Sequence, residues 1–275
     1  MPMTTNGEVS LYYEVFGAEG DPVLLLEAQT GHQCIVFTVE FCEKFADRGF
    51  RVVRLDNRDV GLSSHLKGAS KYTLDDMAKD GVAVIDAVNG GAAHVAGWSQ
   101  GGMIVQTMAL KYPERVLSMT SVMSAPNLRW VPESDREVMA VLNAPPATTR
   151  EELAENYLAG ERLWGSPAFF DVDRITADAY AAFDRSWDPE SRVGHAMAVT
   201  SSPSREVALG SLKVPALVIH GDADRLAPLG GGRATADAIP GAHLEIIEGL
   251  GHDYQYGDRV VELITAHAKT SAAAG

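Results

Sequence analysis

The sequence predicts an α/β fold: a mostly parallel sheet flanked by helices, with an α-helical segment inserted part-way along the chain. Three observations carry this reading. Short apolar runs of strand length alternate with amphipathic helical segments through the first half. The alternation then stops after about residue 125 and resumes at Ala216–His220.

In chain order, Val9–Phe16 has the β-branched and aromatic content of a strand, and 23–26 is a continuous apolar run after Asp21-Pro22. Arg51–Leu55 repeats that form. Leu74, Met77, Ala78, Val82, Ile85 and Val88 fall at helical spacing, which predicts an amphipathic helix over 73–88. A short strand at 94–97 leads into a helix over 103–110 that Pro113 closes, and 116–123 is the next strand. From Pro126 to Pro203 there is no strong strand run, and Pro132, Pro145-Pro146, Pro167 and Pro189 interrupt the helical segments. Strands at 216–220 and 244–247 and a helix over 259–268 complete the pattern. The expected organisation is a core built from 1–125 and 206–275, with a helical cap at 126–205.

Composition bounds the function. A length of 275 residues buries a substantial core, and 46% hydrophobic with 22% charged residues is ordinary globular usage. The 23 Lys+Arg against 37 Asp+Glu leave a formal charge of −14, which argues against nucleic acid or an anionic membrane surface as partner. The expected partner is a small-molecule substrate, bound by a monomer or homodimer. Cys34 and Cys42 are too few for a disulfide framework and have no ligand-spaced histidines, so apolar packing is their expected role. No metal or cofactor is expected. The first ten residues, MPMTTNGEVS, lack a basic and then apolar leader pattern, so a cytoplasmic location is expected.

Gly97-Trp98-Ser99-Gln100-Gly101 reads G-x-S-x-G between a predicted strand and a predicted helix. That context suits a nucleophile: the serine occupies a tight turn, and glycines on either side let strand and helix approach closely. The Gln100 N–H is then at the helix N-terminus, aimed where an oxyanion would develop. A serine hydroxyl is a weak nucleophile and needs a base and an orienting acid. His220-Gly221-Asp222-Ala223-Asp224 lies at a strand end, with Asp224 125 residues after the serine, and Gly251-His252 follows the next strand. Both loops lie at strand carboxyl ends, where open α/β sheets place their sites. Asp224 is the preferred acid, with Asp222 as a loop brace; His252 is the preferred base. His94 and His220 read as structural, His65, His243 and His267 as surface or strand-edge residues, and His195 lies in the insertion. Gly230-Gly231-Gly232 lacks the Lys-Ser/Thr of a phosphate loop and reads as a flexible turn.

Together these segments resemble the serine hydrolases of the α/β-hydrolase fold. Ser99, Asp224 and His252 stand in the family order, and Asp56-Asn57-Arg58-Asp59-Val60-Gly61-Leu62-Ser63 is similar to the family's D-x-R-G-x-G-x-S segment, with Asp59 where glycine is usual. Within the family the chain most resembles the aclacinomycin methylesterase type, which removes a methyl ester from anthracycline polyketides. The resemblance implies a second oxyanion donor after the second strand, where the family carries His-Gly. Here the chain reads Glu27-Ala28-Gln29-Thr30-Gly31-His32, which makes Thr30 the donor, or Gln29 with a one-residue shift. Glu27 is unusual at its position, as a loop brace or a substrate contact.

The insertion carries eight of the chain's 20 aromatic residues. They are expected either to form its own core or to wall an apolar pocket. Pocket candidates are Glu27, His32, Trp98, Trp130, Trp164 and Trp187. The leading function is a serine esterase acting on a hydrophobic small molecule, with a polyketide methyl ester as the finer expectation. Lactone or carbon–carbon bond hydrolysis, a cyclase or cofactor-free oxygenase, and a ligand receptor are the alternatives.

Overall fold

Eight strands hydrogen-bond into one sheet in the order β1-β2-β4-β3-β5-β6-β7-β8 in a computed structural model that describes residues 2–66, 71–130, 135–253 and 257–273. They are β1 (Met3–Asn6), β2 (Val9–Phe16), β3 (Val23–Glu27), β4 (Arg51–Leu55), β5 (Ala93–Trp98), β6 (Val116–Val122), β7 (Ala216–Gly221) and β8 (His243–Ile247). β1 and β2 pair antiparallel, as do β2 and β4; every other pairing is parallel. β1 is absent from the sequence reading because four residues, Met-Thr-Thr-Asn, carry too little pattern to register.

The central strands are apolar throughout because both faces are covered. Leu25, Val53 and Val95 face α2 (Leu74–Val88) and α3 (Gln100–Lys111), whereas Leu24, Leu26, Ala96 and Trp98 face α1 (Val39–Ala46) and α10 (Asp258–Ala273). α2 begins on a capping box, in which Thr73 and Asp76 satisfy each other's main-chain N–H.

Between β6 and β7 the described chain is helical: α4 (Arg136–Leu142), α5 (Arg150–Trp164), α6 (Val172–Ser186), α7 (Ser191–Ser201) and α8 (Glu206–Leu209). Ala147, Leu153, Ala154 and Ala179 form a separate small core there, with Tyr157, Tyr180, Phe183 and Trp187 packed on it.

Gly230-Gly231-Gly232 is not a flexible turn. It lies in the first turn of α9 (Leu229–Ala238), and this corrects the sequence reading. Glycine in a helix costs roughly 0.5–1 kcal/mol relative to alanine. Here it permits close packing: a Cβ on Gly230 or Gly232 would overlap the Trp130 ring or the His220 ring.

Candidate active site

Ser99 stands between β5 and α3 with φ 55° and ψ −115°, a conformation that side chains rarely adopt. Such strain, of order 1–3 kcal/mol, persists only where neighbours over-determine it. They do: Ser99 N–H donates to the Val122 carbonyl at 2.9 Å, and the Ser99 carbonyl accepts from Ser124 Oγ at 2.6 Å. Gly101 is required because a Cβ there would overlap the Glu27 carbonyl oxygen. Ser99 remains half-buried while both its neighbours are buried. The Gln100 N–H, first in α3, has no acceptor among the described residues.

Asp224 and His252 meet. Asp224 Oδ2 lies 2.7 Å from His252 Nδ1, and Asp224 Oδ1 accepts the N–H groups of Leu226 and Ala227 at 2.9 and 2.7 Å. With Nδ1 facing a carboxylate, the ring carries its hydrogen there and presents Nε2 as a base. Asp222 is exposed and accepts the Gly249 N–H at 2.7 Å, bracing the loop. His220 is buried, with Nε2 2.6 Å from the Ala227 carbonyl.

The loop after β3 turns at 29–32. His32 N–H donates to the Gln29 carbonyl at 3.2 Å, and Gly31 takes φ 72°, the pattern of a type II turn with glycine third. The Gln29 carbonyl and the Thr30 N–H belong to one trans peptide, so the Thr30 N–H points away from the turn. It has no acceptor among the described residues, nor does the Gln29 N–H. The Gln29 side-chain amide is 4% exposed and also without a partner there. Gly31 N–H, by contrast, is committed to His195 Nδ1 at 3.0 Å.

Glu27, the last residue of β3, is fully buried and accepts from Asn57 Nδ2 at 2.9 Å. Burial pushes its carboxyl up to about 8, and the charge of Asp80 adds to the rise, while the Asn57 bond opposes it. That bond ties Oε2 to Asn57, while Oε1 has no hydrogen-bond partner among the described residues. His32 is half-buried, with Nδ1 3.0 Å from the Thr30 carbonyl and its ring 5.5 Å from that of Tyr157.

The tryptophans separate into different environments. Trp98 is fully buried and packs against Phe37 and Phe41 in the sheet core, so it is no pocket wall. Trp130 lies against Gly230 and lines a surface groove with Arg129, Val207 and Arg233. Trp187 belongs to the small helical core and donates from Nε1 to the Ala147 carbonyl at 2.8 Å. The corrections at Trp98 and Trp187 share a cause: an aromatic side chain is used first to fill volume. Trp164 is buried at the end of α5, and its carbonyl accepts the His252 N–H at 2.7 Å.

Gln33, Ser166, Arg185 and Asp253, which the sequence did not single out, hold these loops. Gln33 donates to the Ala182 and Ser186 carbonyls at 2.7 and 2.6 Å, and Arg185 pairs with Asp56 at 2.8 Å. Asp253 accepts from the N–H and hydroxyl of Ser166 and from the Gly251 N–H. Only the position of Asp253 beside His252 could have pointed to it. Asp59 takes φ 68°, which is why glycine is usual there.

A family model described as alpha/beta hydrolase fold matches residues 21–258. The chain belongs to the α/β-hydrolase family. This α/β hydrolase is 34% identical to Rhodomycin D methylesterase DauP of Streptomyces sp. (strain C5), over 91% of each chain. It is 32% identical to Rhodomycin D methylesterase DnrP of Streptomyces peucetius, again over 91% of each. Among solved structures, the enol-lactonase from Burkholderia xenovorans LB400 superposes with a TM-score of 0.77 at 22% identity, covering 98% of both chains, and shows the shared fold. The resemblance to the anthracycline methylesterase type therefore holds, and the hydrolase is a carboxylic-ester hydrolase by kinship with named esterases. No helix among the described residues is long and apolar enough to cross a membrane.

Proposed function

We propose that this α/β hydrolase cleaves a methyl ester of a hydrophobic, polyketide-type small molecule through an acyl-enzyme on Ser99. The observation that carries the reading is the pairing of a strained Ser99 turn with the buried Asp224–His252 couple. His252 Nε2 takes the Ser99 proton as Oγ attacks the ester carbonyl, and the oxyanion is received by the Gln100 N–H and by Thr30 or Gln29. His252, now an acid, protonates the departing methoxide, and methanol leaves. Water then attacks the acyl-enzyme, His252 takes its proton, and collapse returns that proton to Ser99 and frees the carboxylic acid.

Support for a substrate carbonyl at the 29–32 turn comes from the Thr30 N–H and the Gln29 side-chain amide, neither of which has a partner among the described residues. Relatives named for a rhodomycin ester support the substrate class. The helices at 126–205 serve as the cap, with the Tyr157 ring against His32 and the Trp164 carbonyl bonded to the His252 N–H.

The test is a panel of methyl esters, lactones and β-diketones assayed with the parent enzyme and with Ser99→Ala. The reading predicts turnover of aromatic methyl esters and its loss in Ser99→Ala. Preference for a lactone or β-diketone, or an active Ser99→Ala enzyme, would overturn it.

A further inference from the structure

We propose that His195, carried on the inserted helix α7, is a positioning residue for the oxyanion hole. The proposal rests on the ester-hydrolysis reading given above. His195 is fully buried, and its ring joins two separate segments of the core. Gly31 N–H approaches Nδ1 at 3.0 Å, and Nε2 lies 2.8 Å from the Arg58 carbonyl. An amide N–H only donates and a carbonyl only accepts, so these partners require a neutral ring with its hydrogen on Nε2. The main-chain carbonyl of the same residue takes a third bond, from Gln100 Nε2 at 3.0 Å.

One residue of the insertion thus touches both segments that offer oxyanion amides. Thr30 N–H lies in the peptide just before the one tied to the His195 ring. The Gln100 N–H belongs to the residue whose side chain is tied to the His195 carbonyl. Neighbouring contacts hold α7 in register: Ser191 Oγ donates to the Asp59 carbonyl, and a Cβ on Gly194 would crowd the Tyr72 hydroxyl at 2.7 Å. An oxyanion donor acts only where the developing charge will be, and misplacing such a group by about 1 Å costs on the order of 100-fold in rate. A histidine that served packing alone would not need its Nδ1 acceptor aimed at this turn.

The side chain of asparagine places its oxygen where Nδ1 stands, so His195→Asn retains the acceptor for Gly31. His195→Gln places its amide nitrogen near Nε2 and retains only the bond to Arg58. The experiment measures single-turnover acylation, kcat and KM with p-nitrophenyl butyrate, and melting temperature, for the parent and both variants. Expected is a fall in acylation and kcat of about 10- to 100-fold in His195→Gln with KM within about threefold, and substantial rescue in His195→Asn despite a similar loss of melting temperature.

Equal rates in the two variants, or rates that follow melting temperature alone, would overturn the proposal. Should neither variant fold, Gln100→Met decides: it removes the side-chain bond to His195 but keeps the main-chain N–H. A kcat several-fold below the parent supports the proposal, and an unchanged kcat refutes it. Ser99→Ala separates the two levels, because an active Ser99→Ala enzyme defeats the ester-hydrolysis reading itself, whereas an inactive one leaves only the role of His195 in question.

Discussion

Asp224 holds His252 by a 2.7 Å contact between Oδ2 and Nδ1 while its other oxygen is occupied by two main-chain N–H groups. The carboxylate is therefore fixed before it orients the ring, and Asp222, exposed and bonded to Gly249, has no access to that role. Replacing Asp224 by Asn preserves shape but removes the charge and favours the wrong tautomer. We expect kcat on a chromogenic ester to fall by about four orders of magnitude, whereas Asp222→Asn remains within a few-fold of the parent. Steady-state assays of the two variants check this.

The His252 loop is also held from the insertion side. Ser166 Oγ accepts the Gly251 N–H at 2.7 Å and donates to Asp253, and the Trp164 carbonyl accepts the His252 N–H at 2.7 Å. Ser166→Ala strips two bonds from this buried junction. Expected are a stability loss of about 2 kcal/mol in urea titration and a fall in kcat exceeding any change in KM.

Strain at Ser99 predicts a trade between stability and activity. At φ 55° a glycine is relaxed where serine is not. Ser99→Gly is expected to abolish turnover while raising unfolding free energy by roughly 1 kcal/mol, read from denaturant curves.

Two buried carboxyls set a pH dependence. Burial raises Glu27 and Glu161 from the ordinary 4.5 to about 8 in each case, aided at Glu161 by the nearby charge of Asp253. A carboxyl whose folded value exceeds its unfolded value favours the folded state when protonated. That contribution is complete below pH 4.5 and is lost as pH rises to about 8. Across this window the two carboxyls lower the melting temperature as pH rises, against His32, His94, His195, His220 and His267, whose values burial lowers and which act the other way. Glu27→Gln should therefore make the slope of melting temperature against pH more positive than in the parent. An identical slope in parent and variant would contradict the assignment.

Much of this architecture was legible because strand and helix periods are local. The apolar runs at β3 and β4 and the helical spacing from Leu74 to Val88 announce themselves residue by residue. The strained turn at Ser99 was legible because it needs glycines on either side, and the Gly251-His252 loop because a glycine follows a strand there. What escaped was tertiary. Gly230-Gly231-Gly232 has the composition of a turn, and the Trp130 and His220 rings packed on it explain why glycines stand in a helix there. Likewise Trp98, beside the nucleophile in sequence, points to the opposite face of β5, as alternation along a strand requires. His195 lies 96 residues from Ser99, and nothing local marks its bond to Gly31.

The central claim is that Ser99 carries the acyl group. Intact-mass spectrometry of enzyme quenched during turnover of a slowly deacylating ester tests it most directly. The account predicts a mass increase equal to the acyl group, located on the peptide containing Ser99 and absent from Ser99→Ala. Turnover with no such adduct on a slow substrate, or an adduct on another residue, would contradict it.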